Sequence, residues 1–364
     1  MSKAASKGNT DAMLWLGSYL YSNGEGVSKD EEKVVEYTKK AADANNDSAK
    51  ITLGTFYLTG ENVATDEEKS SMLIHDGFKG LLKRAAFLSR EEMHVLATCY
   101  QLGIGVEENI QKAIYWYKKS AELGDPEAQN NLGLIYLNGY GVPENKFEAL
   151  RWFKLSSRKY LTGALKNTGD CYYAGWGTSQ DFYEAILWYK KAAEEGDVDA
   201  MVSLGICYKN GQGTTKNYKI AEKWFLKAKN KTNNGNAINC LGLIYEEGGH
   251  GIVKDQAKAT RYYKEAALLD IAAGQFNYGV SLIYGEGVVQ NVEAGIEWIS
   301  KAADQDFQEA IDFLNDIENS SEEPSQPVSY AEENPRPMQK ERNESGCVVL
   351  FLIPLLIGIL MGLL

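Results

Sequence analysis

Three histidines, five cysteines and fifty acidic side chains are the groups in this 364-residue chain that could attack a substrate, ligate a metal or move a proton. Their spacing assembles none of them. His75, His94 and His250 stand far apart, with no nucleophile or metal-ligand spacing beside any of them. No spacing singles out a pair of carboxylates for acid–base work. Cys99, Cys171 and Cys207 recur at multiples of 36 residues, with Cys240 close to the same phase. That pattern reads as small core slots rather than disulfide or zinc partners. Six Gly-x-Gly pairs could cradle a phosphate: Gly24/Gly26, Gly103/Gly105, Gly139/Gly141, Gly175/Gly177, Gly211/Gly213 and Gly285/Gly287. No Lys-Ser/Thr follows them and no strand-like run precedes them, so they read as tight turns. The residues therefore predict no catalysis, no metal and no cofactor.

What positions these glycines is a period. A small residue preceded by leucine in most cases falls at Gly17, Gly54, Ala97, Gly133, Gly169, Gly205, Gly242 and Gly279. Successive anchors are 37, 43, 36, 36, 36, 37 and 37 residues apart. A fixed step in this range is the signature of stacked helix pairs. Around the anchor, Ala128, Leu132 and Tyr136 share a helix face. After the turn, Ala113, Trp116, Tyr117, Ser120 and Ala121 share another. The same stripe returns at Ala149/Trp152/Phe153, Ala185/Trp188/Tyr189, Ala221/Trp224/Phe225 and Ala259/Tyr262/Tyr263. A mid-helix glycine costs about 1 kcal/mol against alanine. Its recurrence predicts close helix contact, with an aromatic ring filling the space left open.

The pattern Ala-x-x-x-Leu-Gly-x-x-Tyr, then Gly-x-Gly-Val, then Ala-x-x-Trp-Tyr-x-Lys-Ala-Ala resembles the Sel1-like repeat. It is met closely in Glu127–Gly133 with Gly139–Val142, and in Asp199 to Gly213. The resemblance covers about residues 8–315. It implies an all-α fold, a right-handed α/α superhelical solenoid of about eight helix pairs related to tetratricopeptide arrays, used for protein–protein interaction. The second repeat departs from the pattern. An insertion between Gly60 and Gly80, with Leu81 where Trp is expected, predicts a longer loop or irregular helix. Glu309–Leu314 restarts the first-helix pattern and is expected to form a terminal capping helix with a polar outer face.

The formal net charge is −12 and the isoelectric point near 5, which excludes a nucleic-acid partner needing a basic footprint. The repeats are expected to fill residues 1–317. Residues 318–346 hold Pro324, Pro327, Pro335 and Pro337 among polar residues and read as a disordered linker. Cys347 to Leu364 then run without a charged side chain, about 27 Å as a helix, and predict a single transmembrane helix. With no apolar leader at the start, the expectation is a tail-anchored protein facing the cytosol, in the endoplasmic reticulum by the shortness of the span. Cys347 is a candidate for lipidation. Gly358 and Gly362 form the Gly-x-x-x-Gly spacing through which two such helices can dimerise.

In a helix-pair solenoid the first helices line the concave face. The positions two and three before the anchor include Asn130, Asn131, Lys166, Asn167, Asn239, Phe276 and Asn277. They are the expected contacts to a partner peptide or helix; the asparagines could equally bridge neighbouring repeats internally. Trp176, a large ring between two turn glycines, is a further candidate. The functional expectation is a non-catalytic, membrane-tethered scaffold or adaptor. By resemblance it serves ubiquitin-ligase complexes of endoplasmic-reticulum-associated degradation. The alternative, by resemblance to activators with the same repeats, is a regulatory subunit of a membrane enzyme of the chitin-synthase type.

Overall fold

The computed structural model describes residues 2–17, 30–159 and 161–321. Every element in them is helical apart from one isolated bridge between Gly249 and Ile252. The chain opens with α1 (Ser2–Ala5), α2 (Thr10–Trp15), α3 (Glu31–Asp43), α4 (Asp47–Thr59), α5 (Glu67–Lys83) and α6 (Arg90–Leu102). It continues with α7 (Ile110–Glu122), α8 (Pro126–Asn138), α9 (Lys146–Ser157), α10 (Thr162–Ala174), α11 (Phe182–Glu194) and α12 (Val198–Asn210). The last six are α13 (Tyr218–Thr232), α14 (Gly235–Glu247), α15 (Gln256–Leu268), α16 (Ala272–Tyr284), α17 (Val292–Ala303) and α18 (Gln308–Ser321). They fall into two compact units that divide within α10, between Ala164 and Leu165.

The period becomes packing through the anchor glycines. A Cβ added at Gly169 would sit 2.6 Å from the Tyr189 ring, and Gly133, Gly205 and Gly242 meet Phe153, Phe225 and Tyr263 in the same way. All four rings are buried. The preceding aromatic, Trp152, Trp188, Trp224 or Tyr262, stays half-buried and takes a cation over its face: Lys191 lies 4.4 Å from the Trp188 ring and Lys227 5.0 Å from that of Trp224. Core and edge are thus set by adjacent residues.

Turns and caps close each pair. Gly139, Gly211 and Gly285 end their helices in the left-handed conformation, and the second glycine of each turn also has positive φ. An Asp or Asn sits twelve or thirteen residues past each anchor. Asp30, Asp66, Asn109, Asn145, Asp181, Asn217, Asp255 and Asn291 are the N-caps of the second helices, each accepting a backbone N–H three residues on. Each such cap is worth about 1 kcal/mol.

The second pair corrects one expectation. The turn from Gly60 to Asp66 is as long as the one from Gly103 to Asn109, so the insertion is not in the loop. It lengthens α5 to 17 residues, against 13 in α7, and adds the link to α6. In register, Leu73 takes the Trp position and Ile74 the ring position: a Cβ at Gly54 would meet Ile74 at 2.6 Å. Leu81 instead packs, fully buried, in the added turn.

At the far end α18 buries Ala310 and sets Phe313 against Phe276, 6.0 Å between ring centres. It runs to Ser321, past the boundary expected at 317. Among the described residues no helix is long and apolar enough to cross a membrane. The Gly24/Gly26 turn, most of the expected linker and the whole expected span lie outside the described residues.

Candidate interaction surface

Helix α8 shows which side faces the core. Ala128, Gln129, Leu132, Gly133 and Ile135 are buried, whereas Asn130, Asn131 and Leu134 are half-buried and Asn138 exposed. The residue one past the anchor is half-buried at Leu134 and Leu243 and buried in the other described repeats, where Thr98 and Asp170 meet the rings of the paired helices, Tyr117 and Tyr189. Along the chain this position holds Thr55, Thr98, Leu134, Asp170, Ile206, Leu243 and Val280. Its chemistry changes from repeat to repeat more widely than that of the small anchors and the apolar knobs that meet them.

Three of the expected asparagine contacts turn inward. Asn277 Nδ2 donates to Asn239 Oδ1 at 3.0 Å, both side chains buried. Asn131 Nδ2 lies 3.2 Å from Nε2 of buried His94, whose Nδ1 is 3.5 Å from a Glu127 carboxylate oxygen. In each pair, the residue three before one anchor meets the residue two before the next. The amides thus bridge neighbouring repeats, the second of the two roles the sequence left open. Asn130 and Asn167 are half-buried. Lys166 Nζ pairs with Asp170 at 2.7 Å. Phe276 packs 5.7 Å from Phe307 and belongs to the terminal core. Trp176 is half-buried on its turn, its backbone N–H donating to the Cys171 carbonyl at 2.8 Å. Cys347, Gly358 and Gly362 lie outside the described residues.

Sequence reading missed the partners of the buried phenols. Tyr117 Oη donates to Gln101 at 2.7 Å, and Tyr263 Oη to Glu246 at 2.9 Å. Both partners stand four residues past the anchor. Where the ring is Phe153 or Phe225, that position holds Leu137 or Lys209, and no phenol needs satisfying. Tyr189 uses Asp170 instead, at 2.8 Å. Burial pushes the Asp170 carboxyl up, against the pull of Lys166. The Asp197 carboxyl, which caps α12, is pushed up to about 6 by burial, with Asp199 adding repulsion.

Little here can do covalent chemistry. Burial pushes the Cys99 and Cys207 thiols up to about 12, leaving them protonated and inert. His250 is exposed in the seventh turn, its ring 5.1 Å from Tyr218. Among the described residues no group of His, Cys, Asp or Glu is placed to hold a metal ion.

Fold and surface together define an all-α solenoid of stacked helix pairs. The Sel1 repeat family matches residues 10–46, 93–125, 126–160, 163–197, 198–233, 236–271 and 272–307, more than half of the sequence. The chain belongs to the Sel1 repeat family, whose members are generally protein-interaction scaffolds. Seven repeats match; the second helix pair, α4 with α5, falls outside these matches and makes the eighth by its packing alone. A Sel1 repeat protein from Oxalobacter formigenes is similar in structure, with a TM-score of 0.57 and 23% identity over 87% of this chain and 88% of that one. That likeness bears on the fold. The c5321 protective antigen of uropathogenic Escherichia coli, described as displaying an SLR fold, gives a TM-score of 0.49 at 27% identity over 88% and 74% of the two chains. No curated protein matches the sequence.

Proposed function

We propose that this protein is a non-catalytic scaffold that holds a protein partner along its inner helices and is tethered to a membrane by Cys347–Leu364. One observation carries the partner-binding part. The framework repeats its residue types, anchor glycine against ring, while the half-buried positions of the inward row differ, from Asn130 and Leu134 to Lys166 and Asn167 to Leu243. A stack that only had to stand would have no use for that variation; a surface that must recognise one sequence needs it. The tether rests on the apolar run in the sequence. The endoplasmic reticulum, with the solenoid in the cytosol, is the proposed site, and ubiquitin-ligase complexes of the degradation pathway are the proposed partners.

The test is affinity purification from solubilised membranes, with the full chain and with a chain lacking residues 347–364. The proposal expects the full chain in the membrane fraction with ligase subunits, and the shortened chain in the soluble fraction. Recovery of a glycosyltransferase would favour the enzyme-activator alternative. A membrane fraction unchanged by the deletion would remove the tether.

A further inference from the structure

One second helix differs from its neighbours in charge. Two, six, ten and fourteen residues past its N-cap, α13 carries Lys219, Lys223, Lys227 and Lys231, all exposed. At 1.5 Å per residue this row is about 18 Å long. The same positions mix their charges on α15, with Arg261 and Glu265, and on α17, with Glu293, Glu297 and Lys301. On α11 they begin with Tyr183 and Leu187, 63% and 37% exposed. Like charges four residues apart weaken a helix, so the row costs α13 stability. The nearby Lys209, Lys216 and Lys229 pair with Glu247 or Glu265, whereas none of these four pairs with a carboxylate among the described residues.

Half of the row is tied into the fold. Lys227 and Lys231 donate from Nζ to the carbonyls of Ala193 and Gly196 at the end of α11, at 3.4 and 2.7 Å, so α11 and α13 lie side by side. The ammonium groups of Lys219 and Lys223 make no hydrogen bond or ion pair among the described residues. They stand at the other end of α13, at the level of Tyr183 and Leu187 on α11. Neighbouring helix axes about 8–10 Å apart bring these four side chains into one patch. We propose that the patch docks an acidic segment of a protein partner, its carboxylates on Lys219 and Lys223 and an apolar side chain over Tyr183 and Leu187. This surface lies wholly in the second unit and is separate from the inner-helix surface. Charge complementarity sets the partner's chemistry. A bilayer would spread beyond the row and meet the acidic groups that leave the chain at −12. A segment no longer than α13 feels only charges within the screening length, about 8 Å at physiological salt.

The experiment uses the full chain in non-ionic detergent and a fluorescein-labelled helical peptide with glutamate at every fourth position and leucine on the adjoining face. Anisotropy titrations should show saturable binding. Lys219→Glu with Lys223→Glu should weaken it at least tenfold without lowering the melting temperature, since the change relieves the like-charge row. Tyr183→Ser with Leu187→Ser should weaken it at least threefold. Lys79→Glu with Lys83→Glu, exposed on α5 of the other unit, changes the net charge equally and should leave the affinity within twofold. No saturable binding, or an equal loss from the α5 changes, would overturn the proposal. Equal affinity for a peptide with glutamine in place of glutamate would overturn it too. Vesicle binding that requires phosphatidylserine and is abolished by the α13 changes, with no peptide binding, would assign the row to a lipid surface and overturn the acidic segment.

Discussion

The second and sixth helix pairs solve one packing problem with different materials. In the sixth, Gly205 leaves room for the flat face of Phe225, and the pair falls within the family pattern. In the second, Gly54 leaves the same room and Ile74 fills it, in a pair outside that pattern. The second pair then adds contacts the sixth lacks. A Cβ at Gly77 would lie 2.5 Å from the Asp47 carbonyl oxygen, so α5 runs hard against the start of α4. Arg84, at the end of the added turn, bonds both Asp47 at 2.8 Å and Glu92 at 2.7 Å, tying α4 to α6. What the stack requires is a small residue at the anchor, alanine at Ala97 and glycine in the other pairs, not one particular side chain to answer it. The ring and the length decide only whether the pair looks like its neighbours.

Removing the knob from each pair sharpens that comparison most. Phe225→Ala should cost about 3–5 kcal/mol and Ile74→Ala about 1 kcal/mol less, because the ring leaves the larger cavity. Denaturant titrations would show it, and equal losses would mean that the two slots are packed alike. Filling the slot comes next. Gly205→Leu should cost about 3 kcal/mol, the upper end for overpacking, since its side chain must displace a buried ring. A melt unchanged by this substitution would show that the anchor does not sit at a tight contact.

A smaller effect should follow pH. The Asp197 carboxyl lies above its ordinary range in the folded chain, so the folded state holds a proton that the unfolded state releases. Its contribution is therefore present below about pH 4 and is lost as pH rises towards about 6. Asp197→Asn keeps an amide oxygen to cap α12, as Asn234 caps α14, and should flatten that slope. Urea midpoints from pH 4 to 7 test it; an unchanged slope assigns the dependence to other carboxyls. Smallest in stability is Trp176→Ala on its turn, expected below about 1 kcal/mol in the melt while weakening partner binding by about 2 kcal/mol. A loss of 3 kcal/mol or more in the melt, with affinity per folded molecule unchanged, would make Trp176 a core residue.

Much of this was legible in the residues. The 36-residue step gave the helix pairs, and the anchor glycines with their aromatic partners gave the contact inside each pair. The helix N-caps are equally visible, as an Asp or Asn twelve or thirteen residues past each anchor. The second pair misled because alignment by residue type set Leu81 on the Trp position. Distance from Gly54 sets Leu73 there, and helix geometry obeys distance. The inward asparagines could not be assigned from sequence, since Asn131 and Asn277 differ from a surface amide only by what stands opposite, His94 and Asn239. That opposition exists only across neighbouring repeats.

The central claim is that the framework sets stability while the varied inward row sets recognition. It is tested most directly by Leu134→Ser with Leu243→Ser, two half-buried residues of that row, in the full chain. Thermal melting and quantitative recovery of the partners that copurify with the unaltered chain are measured on the same preparation. The account predicts a melting temperature within a few degrees of the unaltered chain and partner recovery reduced at least tenfold. Undiminished recovery from a folded double variant would contradict it.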